Sequence, residues 1–287
     1  MPTEDTSLPA IDAYYERFTD AYVAYGGEAG AWHFGLWGDG DVATREAALA
    51  ASNRALCAGL GLRPGMRVLD AGCGCGGLAV YLARAFGVEV VGVTACASHV
   101  ALCERNAAAQ GVGHLTTFRR MDFNALELPG GHFDAVFHQE TFTYVTDLRR
   151  HLAGVRRVLK PGGRLRVMDG FRGEAPLDAR GESLHRDMQR GWRIGPMATL
   201  AALREALAAE GFDGVTVRDL AARVAPSARE VLAADGAREL LRALGRMAPE
   251  ADPEVAAHNA AATGFCRCVL EGTFDYALVE AARPAEA

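Results

Sequence analysis

Four glycines directly follow a short apolar segment that contains an acid. The segment Val68–Ala71 includes Asp70, and the loop Gly72–Gly77 reads Gly-Cys-Gly-Cys-Gly-Gly. Glycine allows a tight turn and lets a ligand approach the backbone closely. A helical pattern starts at residue 78, and the first turn of a helix offers unpaired backbone N–H groups. The spacing therefore predicts a loop that binds a nucleotide-containing ligand.

Two common ligands of glycine loops fit this one poorly. A P-loop needs a Lys followed by Ser or Thr after its glycines, and residues 72–79 lack that pair. Gly72, Gly74 and Gly77 match the G-x-G-x-x-G spacing of dinucleotide-binding folds. The next predicted strand, however, leads to Thr94 and offers no acid for the ribose of NAD. The loop therefore disfavours both P-loop nucleotides and NAD.

A second acid, Glu140, follows another apolar segment at 133–138. Its neighbours His138 and Tyr144 also carry groups that can exchange protons. Open α/β sheets bind their ligands at the carboxyl ends of the strands. The pattern therefore predicts that Glu140 lies at the ligand-binding edge of a sheet.

The elements that must position these groups alternate between strand and helix. Strands are predicted at 66–70, 88–93, 114–120, 133–138 and 164–168, and helices at 78–86, 97–110 and 147–159. Further helices are predicted at 9–25, 41–60, 200–209 and within 227–262, and further strands at 215–220 and 273–281. Repeated βα units indicate an α/β fold with a parallel sheet and helices on both faces.

Composition limits the class of protein. The chain has 287 residues, of which 50% are hydrophobic and 23% are charged, as in globular proteins. The net charge of −6 disfavours a uniformly basic surface for nucleic acid. No apolar run approaches the roughly 18 residues that span a bilayer, and the acidic first residues do not resemble a signal peptide. We therefore expect a cytoplasmic protein with no membrane span and no nucleic-acid partner.

The seven cysteines are an odd number in a large chain, which fits reduced thiols better than a disulfide framework. Cys73 and Cys75, like Cys266 and Cys268, are separated by one residue. Zinc sites usually separate paired cysteines by two to four residues. We therefore assign no metal ligands.

Five stretches together resemble the class I S-adenosylmethionine-dependent methyltransferases, in the order and at the spacing of that family. They cover about residues 60–170 and are Leu69–Gly76, Gly92–Thr94, Met121–Phe123, Phe133–Val136 and Leu159–Gly163. The resemblance implies a Rossmann-like α/β fold with N-terminal helices and a helical insertion or cap in the C-terminal part. It also implies S-adenosyl-L-methionine as the cofactor.

The resemblance implies that the chain divides into three parts. Residues 1–60 form an N-terminal helical segment with an aromatic loop, and residues 61–170 form the Rossmann-like core that binds S-adenosylmethionine. Residues 171–287 supply helices that cover the acceptor and strands that close the sheet. The number of subunits is left open, and a homo-oligomer is compatible with the sequence.

The resemblance implies cofactor contacts for the glycine loop. Gly72, Gly74 and Gly76 would let the methionine part of the cofactor lie on the backbone. Asp70 would orient the loop or meet the cofactor amino group through water. Thr94 stands where many relatives have a ribose-binding acid, so the ribose contact remains open.

Four further residues complete the implied cofactor site. Asp122 would accept a hydrogen bond from the adenine amino group, and Phe123 would pack on the adenine ring. His99 matches a residue near the cofactor in the branch that shares the Gly-Val-Thr pattern. His138, at the end of the strand at 133–138, is included with them.

The flanking segments resemble the branch of sterol C-methyltransferases, cyclopropane-fatty-acid synthases and prenyl diphosphate C-methyltransferases. The segments are the tyrosine-rich helix at 9–25, the aromatic loop Trp32–Trp37, and the stretches His138–Val145 and Gly272–Val279. The last two are most similar to the geranyl diphosphate C-methyltransferases. Cyclopropane synthases place their acid differently, so ring formation is disfavoured. The resemblance implies C-methylation of an isoprenoid alkene, with a prenyl diphosphate such as geranyl or farnesyl diphosphate as the leading substrate.

The chemistry of that reaction explains an acid at position 140. Methyl transfer to an alkene leaves a tertiary carbocation, which a carboxylate stabilises before it removes a neighbouring proton. We therefore predict Glu140 as the general base, with Tyr144 and His138 as further catalytic candidates. A surface acid or a helix-capping partner is the alternative for Glu140.

The acceptor would need both aromatic and basic contacts. Aromatic faces can shield a cation, and the predicted contacts are Tyr22, Phe34, Trp37, Phe171 and Trp192. Arg186, Arg190 and Arg193 stand at i, i+4 and i+7, so one helical face could present them to a diphosphate. The same spacing also fits a solvated helix face. Mg²⁺ is expected only together with a diphosphate substrate.

Other functions stay open at this point. The acceptor could be a sterol, a prenylated natural product, a small amine or a phenol. For a nitrogen or oxygen acceptor, His138 would be the base and Glu140 would position the substrate. A protein that binds the cofactor without transferring a methyl group is the third alternative.

Overall fold

The structure is a computed structural model that describes residues 5–26, 31, 33–38, 42–243 and 252–285. The α-helices in this part of the chain are α1 (Leu8–Gly26), α2 (Arg45–Cys57), α3 (Gly77–Phe86), α4 (Ala97–Ala109), α5 (Leu148–Val158), α6 (Ala179–Trp192), α7 (Leu200–Ala209), α8 (Ala221–Ala243) and α9 (Pro253–Glu271). The strands are β1 (Arg67–Ala71), β2 (Glu89–Thr94), β3 (Thr116–Arg120), β4 (Phe133–Gln139), β5 (Leu159–Arg172), β6 (Asp213–Asp219) and β7 (Phe274–Ala282).

The strands form one sheet in the order β3-β2-β1-β4-β5-β7-β6. The five strands from β1 to β5 are parallel, whereas β7 runs antiparallel between β5 and β6. The α/β, Rossmann-like fold expected from the sequence is confirmed. The direction of β7 departs from the all-parallel sheet, because an apolar run predicts a strand without predicting its orientation.

Both faces of the central strands are buried, which explains their nearly continuous apolar sequences. Val68 and Leu69 are adjacent in β1 and point to opposite faces of the sheet. Val68 packs in a cluster with residues of α2, α3 and α4, and Leu69 packs in a second cluster with residues of α5 and α7. The sheet is therefore the middle layer between two helical layers.

The strand order reverses between β1 and β4. The chain passes from β1 to β2 and β3 on one side, and then returns to β4 and β5 on the other. Ligands of open α/β sheets bind in the crevice outside the carboxyl ends of the strands at such a reversal. Gly72 follows β1 directly, and Glu140 follows β4 directly.

Strand β5 and the segment after residue 170 depart from the predicted pattern. The strand predicted at 164–168 extends over Leu159–Arg172, so β5 crosses the predicted boundary at residue 170. The charged segment after residue 170 contains α6, whose first turn is capped by the side chain of Asp178 at 2.7 Å from the amide of Gly181. A side chain at Gly191 would clash with the backbone of Ala257, so this glycine allows α6 and α9 to pack closely.

Among the described helices, none combines the length and apolar character that crossing a membrane requires.

Candidate active site

A cavity of about 1060 Å³ opens at the carboxyl edge of the sheet. Small-molecule pockets usually measure about 300–1,000 Å³, so this one has room for a cofactor and an acceptor together. Its walls come from the loops after β1, β2 and β4 and from helices α1, α8 and α9. The sequence-predicted residues that line it are Tyr22, Phe34, Asp70, Gly72, Gly74, Thr94, His99, Asp122, Phe123, Glu140, Tyr144 and Trp192.

The glycine loop turns sharply at the end of β1. Gly72 has φ +92° and Gly74 has φ +51°, a backbone region that L side chains rarely adopt. A Cβ at Gly72 would lie 2.6 Å from the side chain of Thr141. Gly76 does not line the cavity; it ends the loop as the N-cap of α3. Gly76 therefore shapes the turn, while Gly72 and Gly74 keep the cavity floor free of side chains.

Asp70 is a buried acid with an unused oxygen. Its side chain lines the cavity although the residue is 2% exposed, and Oδ2 has no hydrogen-bond partner among the described residues. Burial raises the pKa of Asp70 to about 7. A buried polar atom without a partner is costly in a finished protein. The arrangement therefore suits a cationic or hydrogen-bond-donating group of a ligand.

The second half of the predicted cofactor site surrounds the ends of β2 and β3. The Thr94 hydroxyl accepts a hydrogen bond from the amide of Cys96 at 3.3 Å. His99 is buried, and its Nε2 lies 3.0 Å from the hydroxyl of Thr19 on α1. Burial lowers the pKa of His99 to about 4, so the imidazole is neutral.

Asp122 and Phe123 form the wall next to them. Asp122 accepts a hydrogen bond from the amide of Asn124 at 2.8 Å, which fixes the short helical turn after β3. The ring of Phe123 meets the imidazole of His138 edge-on, with the ring centres 5.2 Å apart. Phe123 therefore has a rigid support behind the face that can meet a flat ligand.

Glu140 has an unusual backbone conformation and two hydrogen bonds to one oxygen. Its φ is +52°, in the left-handed region, and its amide donates to Met168 O at 2.9 Å. Oε1 accepts the amide of Phe34 at 2.7 Å and the hydroxyl of Tyr276 at 2.5 Å. Strained residues of this kind cluster at functional sites, because the surrounding structure must hold them. The strain at Glu140 is therefore consistent with a functional carboxylate.

The electrostatics of Glu140 match a base that works near neutral pH. The pKa of Glu140 is raised to about 8: burial raises it most, Asp169 adds to the rise, and the hydrogen bonds from Tyr276 and Phe34 oppose it. A general base is most effective when its pKa lies near the working pH. The carboxylate is therefore able to take a proton and release it again.

His138 lies behind the cavity wall rather than in it. It is fully buried, its Nε2 is 3.1 Å from Nε2 of His151, and its Nδ1 is 3.1 Å from the hydroxyl of Thr141. Burial lowers its pKa well below the usual range. The structure therefore places His138 where it supports Phe123, and it does not line the cavity.

The predicted aromatic contacts separate into two groups. The hydroxyl of Tyr144 accepts a hydrogen bond from Tyr15 at 3.1 Å, so α1 and the turn after β4 meet over the cavity. Trp37 does not line the cavity; its indole N–H donates to the hydroxyl of Ser227 at 2.9 Å. Phe171 also lies elsewhere, 1% exposed within the core. Trp32 lies outside the described residues.

The predicted basic cluster does not form in the structure. Arg186 and Arg190 are exposed, while the face of α6 that carries His185 turns inward. The helix ends before Arg193, whose φ is +56° and whose guanidinium pairs with Glu254 at 3.4 Å. These arginines do not line the cavity. Helical spacing indicates a shared face but not the neighbour that this face meets, and here it meets solvent.

Two further acidic and phenolic residues belong to the site. Asp169 follows the apolar part of β5, lines the cavity and accepts amide hydrogen bonds from Phe142 at 2.6 Å and from Gly170 at 2.7 Å. An acid at the end of a buried strand is the same signal that identified Asp70. Tyr276 lies inside an apolar strand, where a tyrosine is normally interpreted as a core residue. Nothing in the sequence therefore indicates its hydrogen bond to Glu140.

Known proteins with similar sequences are methyltransferases or their relatives. Residues 68–163 match the family described as a methyltransferase domain. A sterol 24-C-methyltransferase of Yarrowia lipolytica is 33% identical over 213 residues, which are 73% of this chain and 54% of that protein. The chain thus spans about half the length of the sterol enzyme. An O-methyltransferase of Aspergillus sclerotiorum is 30% identical over 75% of this chain and 80% of that protein. An S-adenosyl-L-methionine-dependent Diels-Alderase of Talaromyces variabilis is 32% identical over 58% of each.

Solved structures share the fold over nearly the whole chain. A [4+2]-cyclase, SpnF, is 25% identical, covers 98% of both chains and has a TM-score of 0.78. Geranyl diphosphate C-methyltransferase from Streptomyces coelicolor A3(2) is 21% identical, covers 99% of both chains and has a TM-score of 0.72. This chain belongs to the class I S-adenosylmethionine-dependent methyltransferases, and its expected similarity to the sterol C-methyltransferase branch is confirmed.

The described residues fit the cofactor of this family, S-adenosylmethionine. The orphaned Oδ2 of Asp70 offers an acceptor to the cofactor amino group. The glycine floor packs tightly against Thr141, which also lines the cavity, and a Cβ at Gly72 would displace that side chain. Asp122 and Phe123, which line the same cavity, supply an acceptor and a flat wall.

Proposed function

We propose that this protein is a C-methyltransferase that acts on an alkene of an isoprenoid and uses Glu140 as the general base. The observation that supports it best is the placement of Glu140. The residue lines the cavity, and two donors hold Oε1 while Oε2 has no hydrogen-bond partner among the described residues. That oxygen is the one able to accept a proton from a bound substrate.

The chemistry needs little else from the protein. S-adenosylmethionine supplies a methyl group with positive character when it is bound. Glu140 stabilises the positive charge that develops on the alkene and then accepts a proton from a neighbouring carbon. The surrounding aromatic side chains exclude water, and a charge in such a dry site acts strongly. Phe34, Tyr144 and Trp192 stand in the wall around it.

We further propose that the preferred acceptor is an uncharged isoprenoid, and that a prenyl diphosphate is a poorer substrate. Arg17 and Arg45 are the cationic Arg or Lys residues among the described residues that line the cavity, and Arg17 pairs with Asp252 and Glu254. The carboxylates of the same lining are Asp20, Asp70, Asp122, Glu140, Asp169 and Glu230. A diphosphate needs guanidinium groups or a metal ion. The charge balance therefore favours a neutral molecule.

No preformed cluster of metal ligands lines the cavity among the described residues. The group of three ligand-type side chains found among them is Asp12, Glu16 and Cys96, and none of the three lines the cavity. A magnesium ion that bridges a diphosphate would therefore depend on the carboxylates of the cavity itself.

A panel of acceptors tests the proposal. The purified protein is incubated with S-adenosylmethionine and geraniol, farnesol, a sterol with a side-chain alkene, geranyl diphosphate with and without Mg²⁺, a phenol and an amine. Mass spectrometry should show a gain of one methyl group on carbon, with a neutral alkene preferred. A methyl group found only on oxygen or nitrogen would overturn the assignment to carbon, and a strong preference for the diphosphate would overturn the assignment to an uncharged acceptor.

A second candidate function is cyclisation without methyl transfer. Two similar proteins are named for ring formation, the [4+2]-cyclase SpnF and the S-adenosyl-L-methionine-dependent Diels-Alderase of Talaromyces variabilis. A large, mostly apolar cavity also suits a substrate that folds onto itself. The same assay separates the two functions once a linear polyene that carries a diene and a dienophile is added to the panel, because cyclisation gives an isomer with no gain in mass.

A further inference from the structure

Tyr276 and Glu140 form a short hydrogen bond at the candidate site. Tyr276 is fully buried in β7, opposite Gly170 of β5, and its hydroxyl donates to Oε1 of Glu140 at 2.5 Å. The amide of Phe34 donates to the same oxygen at 2.7 Å. A carboxylate oxygen has two lone pairs, so these two donors saturate Oε1.

We propose that Tyr276 is the positioning residue for the base, because it holds Oε1 and so makes Oε2 of Glu140 the oxygen that accepts the proton. The proposal rests on the proposed function, since it names the residue that directs that base. Glu140 touches the substrate in this scheme, and Tyr276 acts through Glu140.

A purely structural role for the pair explains the observations less well. A buried phenol needs a hydrogen-bond partner, but a backbone carbonyl or a glutamine would satisfy it without an ionisable group. A buried carboxylate carries a desolvation cost that a neutral partner avoids. Glu140 also holds a left-handed backbone, with φ +52°. A carboxylate that is shielded from water and held in a strained backbone conformation is more typical of a functional site than of a purely structural contact.

The hydrogen bond also controls when Glu140 is charged. The bonds from Tyr276 and Phe34 stabilise the carboxylate and lower its pKa, while burial raises it, and the balance leaves the pKa at about 8. The other titratable groups that act on Glu140, or on which it acts, are Asp169, Tyr22 and Cys266. Burial raises the pKa of Tyr22 and raises that of Cys266 to about 12, so both remain neutral, while Asp169 titrates near pH 7.

Tyr276→Phe is the direct test, because it removes the donor and keeps the ring. A hydrogen bond to a charged group shifts a pKa by about 1–2 units, so the pKa of Glu140 should rise by that amount. The titration is followed in the resting protein through the carboxyl infrared band that disappears in Glu140→Gln. Asp169 interacts with Glu140 and titrates in the same range, so the comparison is repeated in an Asp169→Asn background, which removes Asp169 from the signal. Tyr81→Phe is the matched control, since it deletes a phenol on α3 next to Phe86 and away from the cavity.

Turnover supplies a second readout that a structural role would not move. The ionised fraction of Glu140 at pH 7 falls about tenfold to a hundredfold in Tyr276→Phe, so the rate at pH 7 should fall likewise and recover at higher pH. A loosely held carboxylate should also remove protons from more than one carbon and give additional alkene isomers. In the Glu140→Gln background, Tyr276→Phe should have no further effect on the rate.

A second substitution, which strengthens the hydrogen-bond donor, keeps the test valid if Tyr276→Phe folds poorly. Replacing Tyr276 by 3-fluorotyrosine strengthens the donor and keeps the bond, so the pKa of Glu140 should fall. An unchanged pKa in both variants, or an unchanged pH profile and product mixture, would overturn the proposal. The infrared titration needs no turnover. A shift of the pKa in a protein that methylates none of the acceptors would support the positioning by Tyr276 and overturn the proposed function.

Discussion

Replacing Glu140 by Gln removes the negative charge and the base while it keeps the shape of the side chain. The amide oxygen can still accept the hydrogen bonds that Phe34 and Tyr276 donate to Oε1. Loss of a general base costs about 10²–10⁴ in kcat, and loss of one electrostatic partner costs about 10²–10³. Both effects reside in one group, so we expect a total loss of about 10²–10⁴, or about 3–5 kcal/mol of barrier.

The pH dependence of the rate gives a second test of Glu140. A pKa of about 8 means that Glu140 is protonated in the resting protein at pH 7, with about a tenth of the molecules ionised. The base works when it is deprotonated, so the wild-type rate should rise about tenfold per unit up to pH 8 and then level off. The residual rate of Glu140→Gln should lack this rise.

Binding and stability measurements control for indirect effects. At pH 7 the wild-type side chain is mostly neutral, as is Gln, so calorimetry should give a similar affinity for S-adenosylmethionine. The raised pKa means that the folded state binds the Glu140 proton more tightly than the unfolded state, so this residue costs stability as the pH rises from its ordinary value to about 8. Glu140→Gln should therefore melt above the wild type at pH 9. Near-normal turnover with the same product and the same pH profile would remove Glu140 from the mechanism.

Other perturbations test the cofactor half and the surface. Gly72→Ala should abolish S-adenosylmethionine binding in calorimetry, whereas Gly111→Ala, which has the same left-handed backbone in open space, should retain it. Asp70→Asn should weaken the binding of S-adenosylmethionine and remove its pH dependence. In the wild type, the affinity should fall by up to about tenfold per pH unit below pH 7, because the carboxylate of Asp70 becomes protonated. The double variant Arg186→Ala and Arg190→Ala should leave KM unchanged for neutral and diphosphate acceptors, because both side chains are exposed. A marked rise of KM for the diphosphate alone would show that these arginines reach the substrate.

The parallel core was predictable because each of its strands leaves a local signature. Apolar runs of four to six residues followed by Gly72, Thr94 or Glu140 indicate buried strands with functional carboxyl ends. The pairing of β7 with both β5 and β6 was not predictable in the same way. Strand order and direction depend on contacts between distant segments, and β7 joins the sheet about a hundred residues after β5.

The candidate site shows the same division between local and distant signals. Asp70 and Glu140 reach the cavity because the end of a parallel strand is a fixed place in this fold. Trp37 and Phe171 carry side chains of a suitable type, yet they pack elsewhere, since an aromatic residue fills a core as readily as a binding site. The bond between Tyr276 and Glu140 joins residues that no spacing rule connects.

The two donors that hold Glu140 come from segments on either side of the whole cofactor-binding stretch. Phe34 precedes the glycine loop, and Tyr276 lies in β7, the last strand described. On the ribosome, the residues from Asp70 to Phe123 therefore emerge and can fold around the methyl donor long before Tyr276 is synthesised. The two hydrogen bonds to Oε1 of Glu140 are therefore complete only once β7 has joined the sheet. The carboxylate that follows β4 is thus held by the part of the sheet that is made last among the described strands.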